Sequence, residues 1–113
     1  MTGYEPGDVI LVPVPFTDTR AVKQRPAVVV SGRRYNRHRP DLIVMPVTSN
    51  TAPPRRFGDF PLERWRSAGL LKPSLVKPVL ATIAARAVRR RLGTLGPAEI
   101  GRLARRARRF LVP

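Results

Sequence analysis

Two side chains stand where an apolar run meets a polar one, and both suit work at a phosphodiester. Arg25 follows the polar, basic stretch Phe16 to Gln24 and precedes the β-branched run Pro26 to Ser31, PAVVVS. Its backbone is thereby anchored while its guanidinium can face solvent. A guanidinium forks two phosphate oxygens at once and suits a pentavalent phosphorus centre. With a pKa above about 12 it stabilises charge and does not pass protons. Thr48 follows the apolar run Asp41 to Val47, DLIVMPV, and its hydroxyl can donate to a phosphate oxygen or orient a ribose 2′-hydroxyl. Plainer readings stand beside these. Arg25 also fits a surface arginine that pairs with Asp18 or with solvent, and Thr48 a hydroxyl that caps the turn after Val47.

Other chemistry is thinly supplied. The chain has no cysteine, one histidine and seven acidic residues, so thiolate chemistry is absent and neither a zinc site nor another metal site is expected; no cofactor is expected either. Metal-free RNA cleavage by a pair of histidines is closed within one protomer, which leaves electrostatic stabilisation as the principal route. His38 lies between arginines in a polar stretch and reads as solvated. Tyr35 and Trp65 can stack on splayed bases, although Trp65 better suits a cover for the core.

The elements that must hold these residues are short. With 13 prolines in 113 residues, most of them before Pro97, long helices are excluded from the first two-thirds and a small β-rich body is expected. Strands are predicted over Asp8 to Val14, Pro26 to Ser31, Asp41 to Val47, Gly58 to Leu62 and Ser74 to Ile83. Pro13 and Pro15 end the first or place it on an edge, and Pro78 marks an edge or a bulge in the last. Gly32 to Pro40 reads as an arginine-rich loop, Ala52 to Arg56 as an extended loop, and Glu63 to Gly69 as a helical turn. Ala84 to Leu92 is ambiguous, since its alanines and arginines favour a helix while a strand would complete a sheet; a short turn followed by a strand is expected. A helix starts at Pro97, with Gly96 as cap and Glu99 in its first turn. Ile100, Leu103, Ala107, Phe110 and Leu111 form its apolar face, and Arg102, Arg105, Arg106 and Arg109 its basic one.

A chain of 113 residues with 42% apolar content fits a single domain over residues 1–113, with no room for a separate substrate domain. The net charge is +15 and the isoelectric point about 12.0, so polyanions should be attracted. Nucleic acid, an acidic protein and an anionic membrane all satisfy that charge, and the excess of arginine over lysine also fits a GC-rich genome. No signal peptide is read at the N-terminus, and no apolar run approaches the roughly 20 residues a membrane span needs. No membrane association and a cytoplasmic location are expected.

Five motifs in order carry a resemblance along nearly the whole chain. Gly7-Asp8-Val9, Arg25-Pro26 followed by AVVVS, Pro46-Val47-Thr48-Ser49, Gly69-Leu70-Leu71-Lys72-Pro73-Ser74 and Leu92-Gly93-Thr94-Leu95 together resemble the MazF/PemK family of toxin endoribonucleases. The resemblance implies a mainly β fold, a small SH3-like barrel of the CcdB/MazF type with a C-terminal α-helix. It implies a homodimer whose groove takes single-stranded RNA, and an acidic antitoxin protein that fills the groove. By the matching motifs Arg25 and Thr48 would be the catalytic pair, with Asp18, Arg20, Lys23, Ser49 and Asn50 as RNA contacts. The implied activity is metal-independent, sequence-specific cleavage that leaves a 2′,3′-cyclic phosphate. Two other functions remain open: a nucleic-acid-binding module without catalysis, and a toxin of the same fold acting on a protein such as a topoisomerase. The RP and P-x-T-S motifs argue against the latter.

Overall fold

A computed structural model describes residues 3–15, 22–52 and 54–112. Its core strands are β1 (Asp8–Pro15), β2 (Val22–Val29) and β3 (Asp41–Thr48), with helix α1 (Arg33–His38) between the last two. Short strands β4 (Phe60–Pro61), β5 (Leu75–Val76), β6 (Ala81–Ala84) and β7 (Arg90–Thr94) follow, and helix α2 (Pro97–Ala107) closes the described chain. The antiparallel sheet runs β4-β5-β3-β2-β1-β7, with β6 also paired to β3.

The central position of β2 explains its composition. Ala27, Val28 and Val29 are all buried because the sheet is covered on both sides, so the strand reads as an unbroken apolar run without alternation. Alternate residues feed two clusters. Val9, Val28, Met45, Val47 and Val76 join Leu103 of α2 on one face, while Ile10, Val12, Ala27, Val29, Leu42 and Val44 form the other. Fully burying each such aliphatic side chain contributes about 1.5–3 kcal/mol.

The prolines of β1 fall where nothing needs their missing donors. Pairing with β7 covers only Asp8 to Leu11, and the Leu11 carbonyl accepts the last bond on that side, from the Arg89 amide. Pro13 and Pro15 share the parity of Leu11, so their nitrogens face the side that β7 has already left.

Several expectations need correction. β2 starts at Val22, four residues before Pro26, so Arg25 lies within the strand, opposite Val12, and not at its junction with a loop. Thr48 is likewise the last residue of β3. The stretch Gly32 to Pro40, read as a loop, contains the six-residue helix α1. Its cause is tertiary. Buried Asn36 donates to the carbonyls of Tyr4 and Ser31 at 3.1 Å each and accepts from the Ser31 hydroxyl, which ties the helix to the N-terminal segment. Gly58 to Leu62 yields only the two-residue β4.

The single strand expected over Ser74 to Ile83 divides into β5 and β6. Both pair with β3, but Lys77 and Pro78 intervene. The Lys77 amide reaches the Pro46 carbonyl at 2.9 Å, and the register against β3 shifts by two residues across the break. Glu63 to Gly69 forms the expected helical turn, closed by Gly69 at φ 84°. The Gly69 and Leu70 amides bond to the carbonyls of Arg66 and Trp65 at 3.0 Å, the paired closure a left-handed glycine permits. Ala85–Ala87 is a 3-10 turn leading into β7, as the sequence suggests.

α2 keeps its expected cap at Gly96 and proline at the first position. Leu103 is buried, and Ile100 and Phe110 pack on the core, but Leu111 lies past the helix end and is 45% exposed. Glu99 is not a surface residue. Its buried carboxylate accepts the Glu63 amide at 2.9 Å and so fastens the helix to the turn 63–69. Among the described residues, no helix is long and apolar enough to cross a membrane.

Candidate active site

The strand register decides which side chains share a face. β2 pairs with β3 as Ala27↔Pro46, Val28↔Met45 and Val29↔Val44. Continued by two residues past its last bonded pair, that register sets Arg25 opposite Thr48. Both then have the parity of Ala27, Val29, Leu42 and Val44, and so belong to the face carrying the second apolar cluster. Opposed residues of a fully paired antiparallel ladder hold their Cβ atoms about 5 Å apart, within reach of one phosphate for these two side chains. Arg25 is exposed and Thr48 half-buried.

The same row extends further. Val12 pairs with Arg25 on one side, Thr48 pairs with Leu75 on the other, and Leu75 pairs with Pro61. The bonded pairs set Val12 opposite Arg25, and Thr48, Leu75 and Pro61 in line across β3, β5 and β4; only the continued β2–β3 register joins the two runs. The sequence does not join Leu75 and Pro61 to the row, because strands of two residues show no periodicity to read.

The Thr48 hydroxyl oxygen accepts the Asn50 amide at 3.1 Å. This is the turn-capping role that the plainer reading of Thr48 assigns to it. The bond occupies an acceptor and leaves the hydroxyl hydrogen available, so capping and donation to a ligand are compatible. Ser49 and Asn50 are exposed on that turn, and Lys23 is exposed on β2 two residues from Arg25, with the same parity. Five of the seven expected site residues therefore gather at one end of β2 and β3. The other two, Asp18 and Arg20, lie outside the described residues.

The far end of the row is braced by charge. Buried Asp59 precedes β4; its carboxylate accepts the Arg56 amide at 3.0 Å and the Lys77 ammonium at 3.0 Å. The backbone donor first, and the ammonium second, hold its carboxyl below the usual carboxylate range. Arg106 of α2 donates to the Asp59 carbonyl at 2.8 Å and lies over the Phe60 ring, so it is not the purely solvent-facing arginine expected.

Remaining candidates lie elsewhere. His38 ends α1 with Nδ1 2.8 Å from the Arg34 carbonyl. Tyr35 donates to Asp41 and carries Arg39 over its ring. Trp65 is half-buried against the first cluster, with the Arg66 guanidinium 4.6 Å from its ring centre. Among the described residues, no group of three His, Cys, Asp or Glu side chains is placed to hold a metal ion.

Over residues 5–111 the sequence matches the family described as PemK-like, MazF-like toxin of type II toxin-antitoxin system. No curated protein matches the sequence significantly. Among solved structures, the chain is similar to the Mycobacterium tuberculosis toxin MazF-mt6, with 20% identity, a TM-score of 0.71 and coverage of 88% of this chain and 91% of that one. It is also similar to an endoribonuclease in complex with its cognate antitoxin from mycobacterial species, at 17% identity, TM-score 0.74, and 98% and 100% coverage. A mycobacterial endoribonuclease aligns at 16% identity and TM-score 0.72, covering 95% of this chain and 89% of that one. These likenesses establish the fold as the expected MazF type, a curled, mainly β half-barrel with a C-terminal helix.

Proposed function

Because the chain belongs to the PemK-like, MazF-like toxin family of type II toxin–antitoxin systems, we propose that it is an endoribonuclease cutting single-stranded RNA without a metal. One observation supports the reading: the bonded β2–β3 register gives Arg25 and Thr48 the same parity on neighbouring strands, and extending it by two residues sets them opposite each other. The RP and P-x-T-S motifs are distant in sequence and lie on neighbouring strands through that pairing.

The ribose 2′-oxygen attacks the adjacent phosphorus, the bond to the 5′-oxygen breaks, and a 2′,3′-cyclic phosphate and a 5′-hydroxyl result. The proton leaving the 2′-oxygen passes to solvent, and the departing 5′-oxygen takes one from solvent. Arg25 forks the non-bridging oxygens as the phosphorane gains charge, the contribution expected to dominate. Thr48, its oxygen already committed to the Asn50 amide, donates its hydrogen to the same phosphate. Lys23, Ser49 and Asn50 follow the strand away from the scissile bond, and Asp18 and Arg20 belong to the same contact set by their place in the chain.

The working form in this reading is a single-domain protomer paired in a homodimer, which deepens an otherwise shallow groove. The net charge of +15 suits both RNA and an acidic antitoxin competing for that groove, and the setting is the cytoplasm. Purified protein incubated with labelled RNA in excess EDTA separates the readings. Cleavage supports the nuclease. Binding without cleavage supports a non-catalytic module, and neither supports a toxin acting on a protein.

A further inference from the structure

At the Leu75–Pro61 end of the row, where it meets the half-buried Trp65, lies a cleft of about 340 Å³ bordered by these three residues, with Thr51, Arg55 and Glu63 also lining it. Leu75 is the direct partner of Thr48 and Pro61 the next beyond it, so the cleft opens one to two strand spacings, about 5–10 Å, from Thr48. Thr51 and Arg55 come from the segment that leaves β3 just after Thr48. The volume falls in the range of small-molecule sites, about 300–1,000 Å³.

We propose that this cleft takes one unpaired base of the RNA strand, a base bearing an exocyclic amino group, next to the phosphate held by Arg25 and Thr48. The inference rests on the nuclease reading and adds a specificity-determining subsite to it. Its lining matches a base better than a phosphate or an acidic side chain. Proline, leucine and tryptophan walls suit flat apolar faces, whereas the Glu63 carboxylate, although Arg102 lies 4.0 Å away, disfavours an anion. Around the rim, Arg55 offers only donors and Glu63 only acceptors, so a ring whose edge carries both is complemented. An amino group presents its hydrogens to Glu63 from an exocyclic position, where uracil presents only carbonyl oxygens on either side of its single N3–H.

The platform is rigid enough to discriminate. The Glu63 amide is held by Glu99, the turn carrying Trp65 is closed at Gly69, and Arg66 lies over the indole. Such support around a recognition surface fixes its geometry before the ligand arrives.

Trp65 is the only tryptophan, so its emission reports on the cleft directly. The test titrates full-length protein with a short single-stranded RNA whose 2′-hydroxyls are replaced by hydrogen, which prevents cutting, and follows both anisotropy and Trp65 emission. Saturable quenching is expected, with Arg55→Ala weakening binding by about five- to a hundredfold, the range of a lost base contact. In parallel, ends from a random-sequence RNA pool cut by the wild type should show uracil depleted at one position flanking the cut. Glu63→Gln should lift that depletion, since its amide can donate to a uracil carbonyl. Both residues are exposed, so folding is not at stake. Binding by anisotropy without an emission change, or the same cut-site profile in the Glu63→Gln variant, overturns the inference and leaves the nuclease reading intact. Quenching by an acidic peptide but not by the oligonucleotide overturns it as well. Quenching by the oligonucleotide together with no cleavage of ordinary RNA keeps the base site and sinks the nuclease reading.

Discussion

Gly69 and Gly93 bring the backbones of the 63–69 turn and β7 into close approach. A Cβ on Gly69 would lie 2.0 Å from the Leu92 carbonyl oxygen, and one on Gly93 would lie 2.5 Å from the Ala68 carbonyl. The turn that carries Trp65 is thereby pressed against β7. Gly93→Ala should cost about 1–3 kcal/mol, since backbone on both sides must move. Gly69→Ala should cost more, because its φ of 84° adds left-handed strain to the clash. Gly3→Ala, with open space around it, serves as the control. Urea unfolding midpoints decide: equal midpoints for all three variants would show that the two glycines are not in contact.

Asp59 gives stability a defined pH dependence. Its native carboxyl titrates below the usual range, held there by the Arg56 amide and then by Lys77. A lowered native pKa means that the stabilisation is complete above the unfolded value, about 3.9, and is lost as pH falls through it toward the lower native value. Asp59→Asn should therefore lower the unfolding midpoint at pH 7, and the gap to wild type should stay constant down to about pH 4 before shrinking. A gap that widens with acid would contradict the assignment.

The contrast between α1 and α2 shows what could be read from the chain alone. α2 announces itself locally, with a glycine cap, proline at the first position and an apolar face at helical spacing, so its start was legible. α1 has no side-chain cap and an arginine-rich sequence, and it exists because Asn36 finds two carbonyls and a hydroxyl distant in sequence. The site divides in the same way. Arg25 and Thr48 were legible as residue types at the edges of apolar runs. Their place on one face of neighbouring strands was not, since it depends on a β2 that begins four residues early and on a register set by the whole sheet. The join to Leu75 and Pro61 lies in two-residue strands that carry no pattern of their own.

The nuclease reading makes RNA affinity a function of salt. For a single strand the logarithmic slope falls by about 0.7 for each phosphate contact removed. Lys23→Ala should thus flatten the slope by about that amount while leaving sequence preference unchanged, as filter binding across a salt series would report. An unaltered slope would remove Lys23 from the contact set.

Single-turnover cleavage of a labelled RNA in excess EDTA, with wild type, Thr48→Val and Arg25→Ala side by side, tests the pairing of guanidinium and hydroxyl most directly. Circular dichroism confirms that each variant is folded. Arg25→Ala should cut about 100- to 1,000-fold more slowly, the loss typical of removing a donor from a developing oxyanion, and Thr48→Val should fall between it and wild type. A folded Arg25→Ala protein that cuts within about threefold of the wild-type rate, well short of that loss, would contradict the account.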